Sequence, residues 1–247
     1  MNLLRLTWLE VKIFVREPMG VFGTVGIPVI VFLAFGRLAG PALARAASRP
    51  GGAIASTLPV LGSLMMALTA VSSLVTVICI YREAGILKRL RATPLTPFEI
   101  LSAQVLVKLL FTVLTLILML LAGRRYIPAG AHIPVLSYGV ALLLSTWSTL
   151  SVGFVIASLV PTARFAQPIT ALVLYPMLAL SGLFFPIAIL PAPLAFIARL
   201  LPLTYAVPLL DGIWRGQSWL SHRGDVAALI VIFIVCTAVS SRVFRWE

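Results

Sequence analysis

Apolar runs of about 20 residues recur along the chain, and short segments between them carry most of the charge. Each run is long enough to cross about 30 Å of hydrocarbon as a helix. None has the period-2 alternation of a barrel strand. The pattern predicts an all-α membrane protein of one domain, 1–247, with six transmembrane helices. They are expected at about 19–38, 57–80, 97–122, 135–160, 169–185 and 226–243.

The segments between and before the runs have patterns of their own. Residues 2–17 form an amphipathic helix: at 100° per residue Arg5, Lys12 and Arg16 share one face. Leu3, Leu4, Val11, Phe14 and Val15 gather on the opposite side, as in a helix lying in the membrane interface. Pro18 follows Glu17 and ends it. A Gly/Pro/Ala loop is expected from the end of the first span to about Ser56. Ala44-Arg45-Ala46 resembles a small-x-small cleavage site, but the preceding apolar region is too long and the N-terminal helix carries Glu10, so no cleavage is expected. Thr96-Pro97-Phe98-Glu99 reads as a capping box with proline at the first helical position, which starts the third span near Pro97. Pro161–Pro168 reads as a brief turn. Between Pro186 and Gly216, five prolines cut an apolar stretch into pieces too short to span, so re-entrant or interfacial helices are expected there.

Composition sharpens this picture in one respect. The chain is 61% hydrophobic and 11% charged, well below the roughly 25% charged residues of a soluble domain. Its net charge of +12 is scattered through the loops, the ordinary pattern of membrane flanks, and no nucleic-acid partner is implied. Six spans place 11 basic residues on the side of the termini and 8 on the other, which favours cytoplasmic termini in a plasma or inner membrane. Cys79 and Cys236 lie inside apolar runs, so no disulfide framework is expected.

The chemistry that is missing narrows the function. The seven acidic residues all lie away from the middle of a span, which argues against an ion-coupled carrier built on an intramembrane carboxylate. No lysine is followed by Ser or Thr, so the chain has no P-loop and no ATPase motif. His132 and His222 are isolated, which leaves no metal site and no catalytic grouping. Lys108, inside the third span, is expected to snorkel toward the basic segment that precedes it. Thr69, Ser72, Ser73 and Thr76 recur at i, i+3, i+4 and i+7 in the second span. That hydroxyl stripe fits either helix packing or a pathway lining.

The segment Tyr81–Glu99 is the longest without a credible span. It holds Arg82, Glu83, Lys88, Arg89 and Arg91, with Ile86, Leu87 and Leu90 on one helical face. Glu83 falls on that same face, and burying its carboxylate demands a partner. R-E-A-G-I-L-K-R-L-R-A-T-P-L (Arg82–Leu95) resembles the coupling segment of ABC-2 type transporter permeases. S-G-L-F-F-P (Ser181–Pro186) with L-P-L-T-Y-A (Leu201–Ala206) resembles their last-loop signature, and Arg16-Glu17-Pro18 their elbow-helix end. The resemblance covers nearly the whole chain.

It implies an elbow helix at 2–17 and a cytoplasmic coupling helix at 81–92, with Gly85, Thr93 and Pro94 among its residues. A separate cytoplasmic ABC ATPase would dock on that helix and bind ATP and Mg, so the chain itself needs no cofactor. A second permease copy, identical or a sister chain, would complete the pathway, and lipids would surround it. Glu83 would find its partner on the ATPase or the elbow helix. Phe184, Phe185, Pro186 and Tyr205 would form an exit gate, or an interfacial aromatic belt. The expected cargo is a drug, antibiotic, natural product or lipid. A polysaccharide exporter, an ion-coupled carrier and a non-transporting scaffold are the alternatives.

Overall fold

A computed structural model describes residues 3–47, 57–85, 97–123, 134–160, 162–184 and 187–243. All the regular structure among them is helical, as the apolar runs predict. The order is α1 (Leu3–Arg16), α2 (Pro18–Val21), a π-helical turn (Phe22–Gly26), α3 (Ile27–Ala47), α4 (Thr57–Glu83) and α5 (Pro97–Gly123). Then follow α6 (Val135–Leu159), α7 (Ala163–Ala179), α8 (Ala192–Ala198), α9 (Leu203–Trp214) and α10 (Arg223–Val243). Five stretches are long and apolar enough to cross a membrane: Pro18–Leu38, Pro59–Glu83, Leu101–Ala122, Val135–Leu159 and Trp219–Arg242. The bent pair α8–α9 would make a sixth if it counts as one span.

Several boundaries differ from the sequence reading. The helix of the first span does not yield to a loop after Leu38 but continues to Ala47. The second continues through Tyr81, Arg82 and Glu83, so these residues belong to α4 rather than to a separate helix. Gly85 then ends it at φ +65°, with its N–H bonded to the Arg82 carbonyl, a conformation open to glycine at no steric cost. Residues 86–96, which hold the rest of the expected coupling helix and the capping-box threonine, lie outside the described residues.

The fifth expected span, 169–185, is displaced. Its helix, α7, starts at Ala163 and ends at Ala179, absorbing Pro168 and Pro176. The expected turn before it therefore shrinks to the few residues around Thr162. Polar fastening of both flanks by α4, described below, lets the helix begin so early.

α4 and α6 are the most enclosed spans and α10 the least. The main core joins α3, α4, α5, α6, α7, α9 and α10 around residues such as Leu64, Val71, Met119, Leu142, Leu174 and Leu209. Where α6 crosses α4, Gly153 lets the backbones approach: a Cβ there would stand 3.0 Å from Val71 Cγ1. The Tyr138 hydroxyl, fully buried, bonds Ser63 Oγ at 2.6 Å and the Pro59 carbonyl at 3.1 Å, and its ring meets Trp214 edge-on. One end of the bundle is thereby closed by α4, α6 and α9.

The stretch cut by prolines folds as expected into short pieces. α8 and α9 meet at 71°. Thr204 Oγ1 donates to the Ala198 carbonyl and Tyr205 Oη to the Arg199 carbonyl at 2.8 Å, which holds the corner shut. At the far end of α9, His222 bridges Gln217 and Asp225 and links it to α10. His222 lies so close to Gly212 that a Cβ there would overlap its imidazole.

Candidate functional site: a hydroxyl-lined groove and its polar fastenings

α1 buries a narrower face than the sequence reading gives. Leu6, Glu10 and Phe14, at i, i+4 and i+8, turn inward, whereas Leu4 and Val15 are exposed along with Trp8. The N-terminal amphipathic helix is thus present at Leu3–Arg16, with a carboxylate at the centre of its inner face. Glu10 Oε2 accepts a 2.9 Å hydrogen bond from Tyr81 Oη of α4. Burial pushes the Glu10 carboxyl above its usual range, opposed by Tyr81, Gln104 and Lys108.

Lys108 stands across from it. The expectation that it snorkels is corrected: the side chain is fully buried. Its Nζ donates to Ser73 Oγ at 2.7 Å and sits 4.1 Å from the centre of the Phe14 ring. The physical reason is position. Lys108 lies three turns into α5, where α1 and α4 close over it, so a hydroxyl, a ring and nearby carboxylates replace the water it would otherwise reach. Gln104, one turn earlier on α5, is buried in the same cluster.

Ser73 belongs to the hydroxyl stripe, and the stripe faces a cavity rather than a helix contact. A groove of about 450 Å³ runs between the π-turn region, α4 and α7. Thr69, Ser72, Ser73 and Thr76 all line it, with Met65, Leu68, Val77 and Ile80 on the same helix. Glu17, Met19, Gly23, Thr24 and Ile27 form one wall, and Gln167, Ala171, Leu174 and Tyr175 the other. From Met65 to Ile80 the groove follows α4 for about 22 Å. The π turn, an irregularity common at functional sites, lies in its wall.

Hydroxyl chemistry divides the stripe. Thr69 donates to the Met65 and Met66 carbonyls and Thr76 to the Ser72 carbonyl, so both offer only lone pairs to the groove. Ser73 accepts from Lys108, which leaves its own proton to donate.

At the end of α4, Arg82 and Glu83 join it to the α6–α7 corner. Arg82 Nη1 and Nη2 donate to the Val160 and Ala157 carbonyls at 2.8 and 2.9 Å. Glu83 Oε1 accepts from the Ala163 N–H at 3.0 Å. A cation thus meets the carbonyl end of α6 and an anion the amide end of α7, each matched to the local helix dipole. Within this chain Glu83 thus finds a partner at this corner.

The remaining expected site residues separate. Ile86, Leu87, Lys88, Arg89, Leu90, Arg91, Thr93 and Pro94 lie outside the described residues, as do Phe185 and Pro186. Phe184 is exposed, and Tyr205 braces the α8–α9 corner. Arg5, Lys12 and Arg16 keep to the outer side of α1, with Lys12 lying 5.7 Å from the centre of the Trp8 ring. The Glu10–Tyr81–Lys108 cluster is what sequence reasoning missed. Its signals were a mid-span lysine and a glutamate spaced i, i+4 from Leu6 and Phe14.

Comparison with known proteins identifies the family. The model of the ABC-2 type transporter family matches residues 1–213. The chain belongs to that family. It is 34% identical over 143 residues to the inner membrane transport permease YhhJ of Escherichia coli K12, a match covering 56% of this chain. It is also 35% identical over 96 residues to nodulation protein J of Rhizobium leguminosarum bv. viciae, covering 37% of this chain. In both cases the chain spans only 37% of the relative's length. An ABC-2 family member with these helices is a multi-pass integral membrane protein.

Proposed function

We propose that this chain is the transmembrane permease subunit of an ATP-driven ABC exporter, moving a hydrophobic or amphipathic solute out of the cell. The supporting observation is the groove: about 450 Å³, within the range of drug-sized sites, apolar with a few hydroxyls, and reaching down to Ile80 near the Arg82–Glu83 joint. A separate cytoplasmic ABC ATPase docks on the segment that follows Gly85, and two permease copies pair across the open side of the groove. Both termini face the cytoplasm of a plasma or inner membrane.

The mechanism follows from the joint. Docking and undocking of the ATPase displace the end of α4. Because Arg82 holds the carbonyl end of α6 and Glu83 the amide end of α7, that displacement reaches α7 directly, and α7 is a wall of the groove. A change at the cytoplasmic end thus widens or narrows the site without a flexible loop between.

Affinity capture of the tagged chain from its native membrane, with the captured complex reconstituted in liposomes, tests this reading. We expect an ABC ATPase to co-purify and vanadate-sensitive ATP hydrolysis to appear. Capture of the intact chain with no ATPase would overturn the reading in favour of a self-sufficient carrier or a scaffold.

A further inference from the structure

The lining of the groove differs in charge from the rest of the chain, and the inference drawn from it rests on the permease reading above. The chain carries 19 basic and 7 acidic residues. Among the described residues lining the groove, the balance is reversed: Glu17 is the one formal charge and no lysine or arginine reaches the wall. Glu17 caps no amide of α2 with its side chain and stands exposed beside Gly20, at the end of the groove near Ile80 and Gln167. Lys108 lies behind the wall, screened by Ser73 and by Phe14, with both Glu10 and Glu17 in range of its charge.

The rest of the lining complements a cation with an apolar body. Thr69 and Thr76 present only acceptor lone pairs, because their protons are spent on α4 carbonyls. Tyr175, largely exposed, offers an aromatic face on the opposite wall. Apolar side chains supply the remaining surface, with a carboxylate at one end and the hydroxyl acceptors and the ring further along.

We propose that the groove is a binding site for cationic amphiphiles, with Glu17 as the charge-selecting residue and Tyr175 as the aromatic contact. An anionic amphiphile of the same shape meets the Glu17 carboxylate, which Lys108, buried behind Ser73 and Phe14, offsets only from outside the wall.

Tetraphenylphosphonium and tetraphenylborate are nearly identical in shape and opposite in charge, which makes them the probes. Binding of each to the full chain in lipid nanodiscs is measured by equilibrium dialysis, with empty nanodiscs subtracted for partition into lipid. The phosphonium should bind saturably, and the borate should show no saturable binding. Glu17→Gln should weaken phosphonium binding about 10-fold, Glu17→Asp should restore most of it, and Tyr175→Ala should weaken it about 5-fold. Tyr175 lies away from the Lys108 cluster, so its variant serves even if loss of Glu17 unsettles the fold. Saturable borate binding, or phosphonium affinity unchanged in both Glu17→Gln and Tyr175→Ala, would overturn the proposal. Saturable phosphonium binding by a chain that captures no ATPase keeps the site and removes the transport reading, so the two failures are told apart.

Discussion

A lysine with no exposed surface needs compensation from its surroundings, because an isolated ammonium in a low-dielectric interior loses several kcal/mol of hydration. Lys108 receives it from the Ser73 hydroxyl, the Phe14 ring and the field of Glu10 and Glu17. Lys108→Met should therefore destabilise the chain by about 3 kcal/mol, mainly because Glu10 is left buried beside no cation. Thermal unfolding in detergent followed by tryptophan fluorescence measures this. The double variant Lys108→Met, Glu10→Gln should recover part of the loss, whereas additive losses would show that the two do not interact. pH gives an independent check. Glu10 has a raised folded-state pKa, so between its unfolded value and that raised value the folded state binds more protons. Its contribution then falls as pH rises through this window, and stability should be greater on the acid side. Glu10→Gln should flatten the slope. The groups facing Glu10 are Tyr81, Gln104 and Lys108, and a second carboxylate, Glu17, also acts on Tyr81 and Lys108.

Among the elements, the junction of α4 with the α6–α7 corner carries the most argument. Arg82 makes two charge-assisted bonds to carbonyls that α6 cannot satisfy internally, and Glu83 takes an amide that α7 leaves free. Arg82→Ala should cost about 2 kcal/mol and Glu83→Ala about 1 kcal/mol, with membrane insertion intact in both. Thermal unfolding gives the first quantity, carbonate extraction the second. Arg82→Lys should rescue little, since an ammonium cannot fork to two carbonyls. Full rescue by lysine would reduce the joint to a simple charge effect. This junction also marks where sequence reading stops. Helix positions are legible because apolar runs must match the bilayer, although the helix of the first span overruns its expected end at Leu38 to reach Ala47. The fifth was displaced because Pro168 reads as a break, while it is tolerated within α7. Glu83 could be read as a carboxylate in need of a partner. That the partner is the backbone of residue 163 depends on how α7 packs against α4, which no local pattern encodes. The hydroxyl stripe is similar: its spacing fixes a common face, but packing alone decides that the face meets a groove.

For the whole molecule, the contacts imply how often the chain crosses. Call the two ends of the bundle after Glu83 and Tyr138. From Pro59, beside Tyr138, to Glu83, α4 runs 25 residues, about 37 Å and more than the hydrocarbon thickness. α7 starts at Ala163 against Glu83 and carries Tyr175 up along the groove, so its 17 residues run back toward the Tyr138 end, about 25 Å. α9 finishes with Trp214 against Tyr138, and α10 leaves from the adjoining His222. α10 then runs parallel to α6, with Leu229 at Ser148 and Ser240 at Ser158. From this geometry we predict that α7 is the sixth crossing, despite falling short of the usual span length, and that the α8–α9 pair dips in and returns to the same end. Single cysteines introduced at Ser48, Arg91 and Glu247, in a chain lacking Cys79 and Cys236, test it with a membrane-impermeant maleimide. Positions 91 and 247 should label from the same side and position 48 from the other. If the bent pair crosses fully in addition to α7, position 247 labels with 48 instead, and the C-terminus faces away from the segment where the ATPase is proposed to dock.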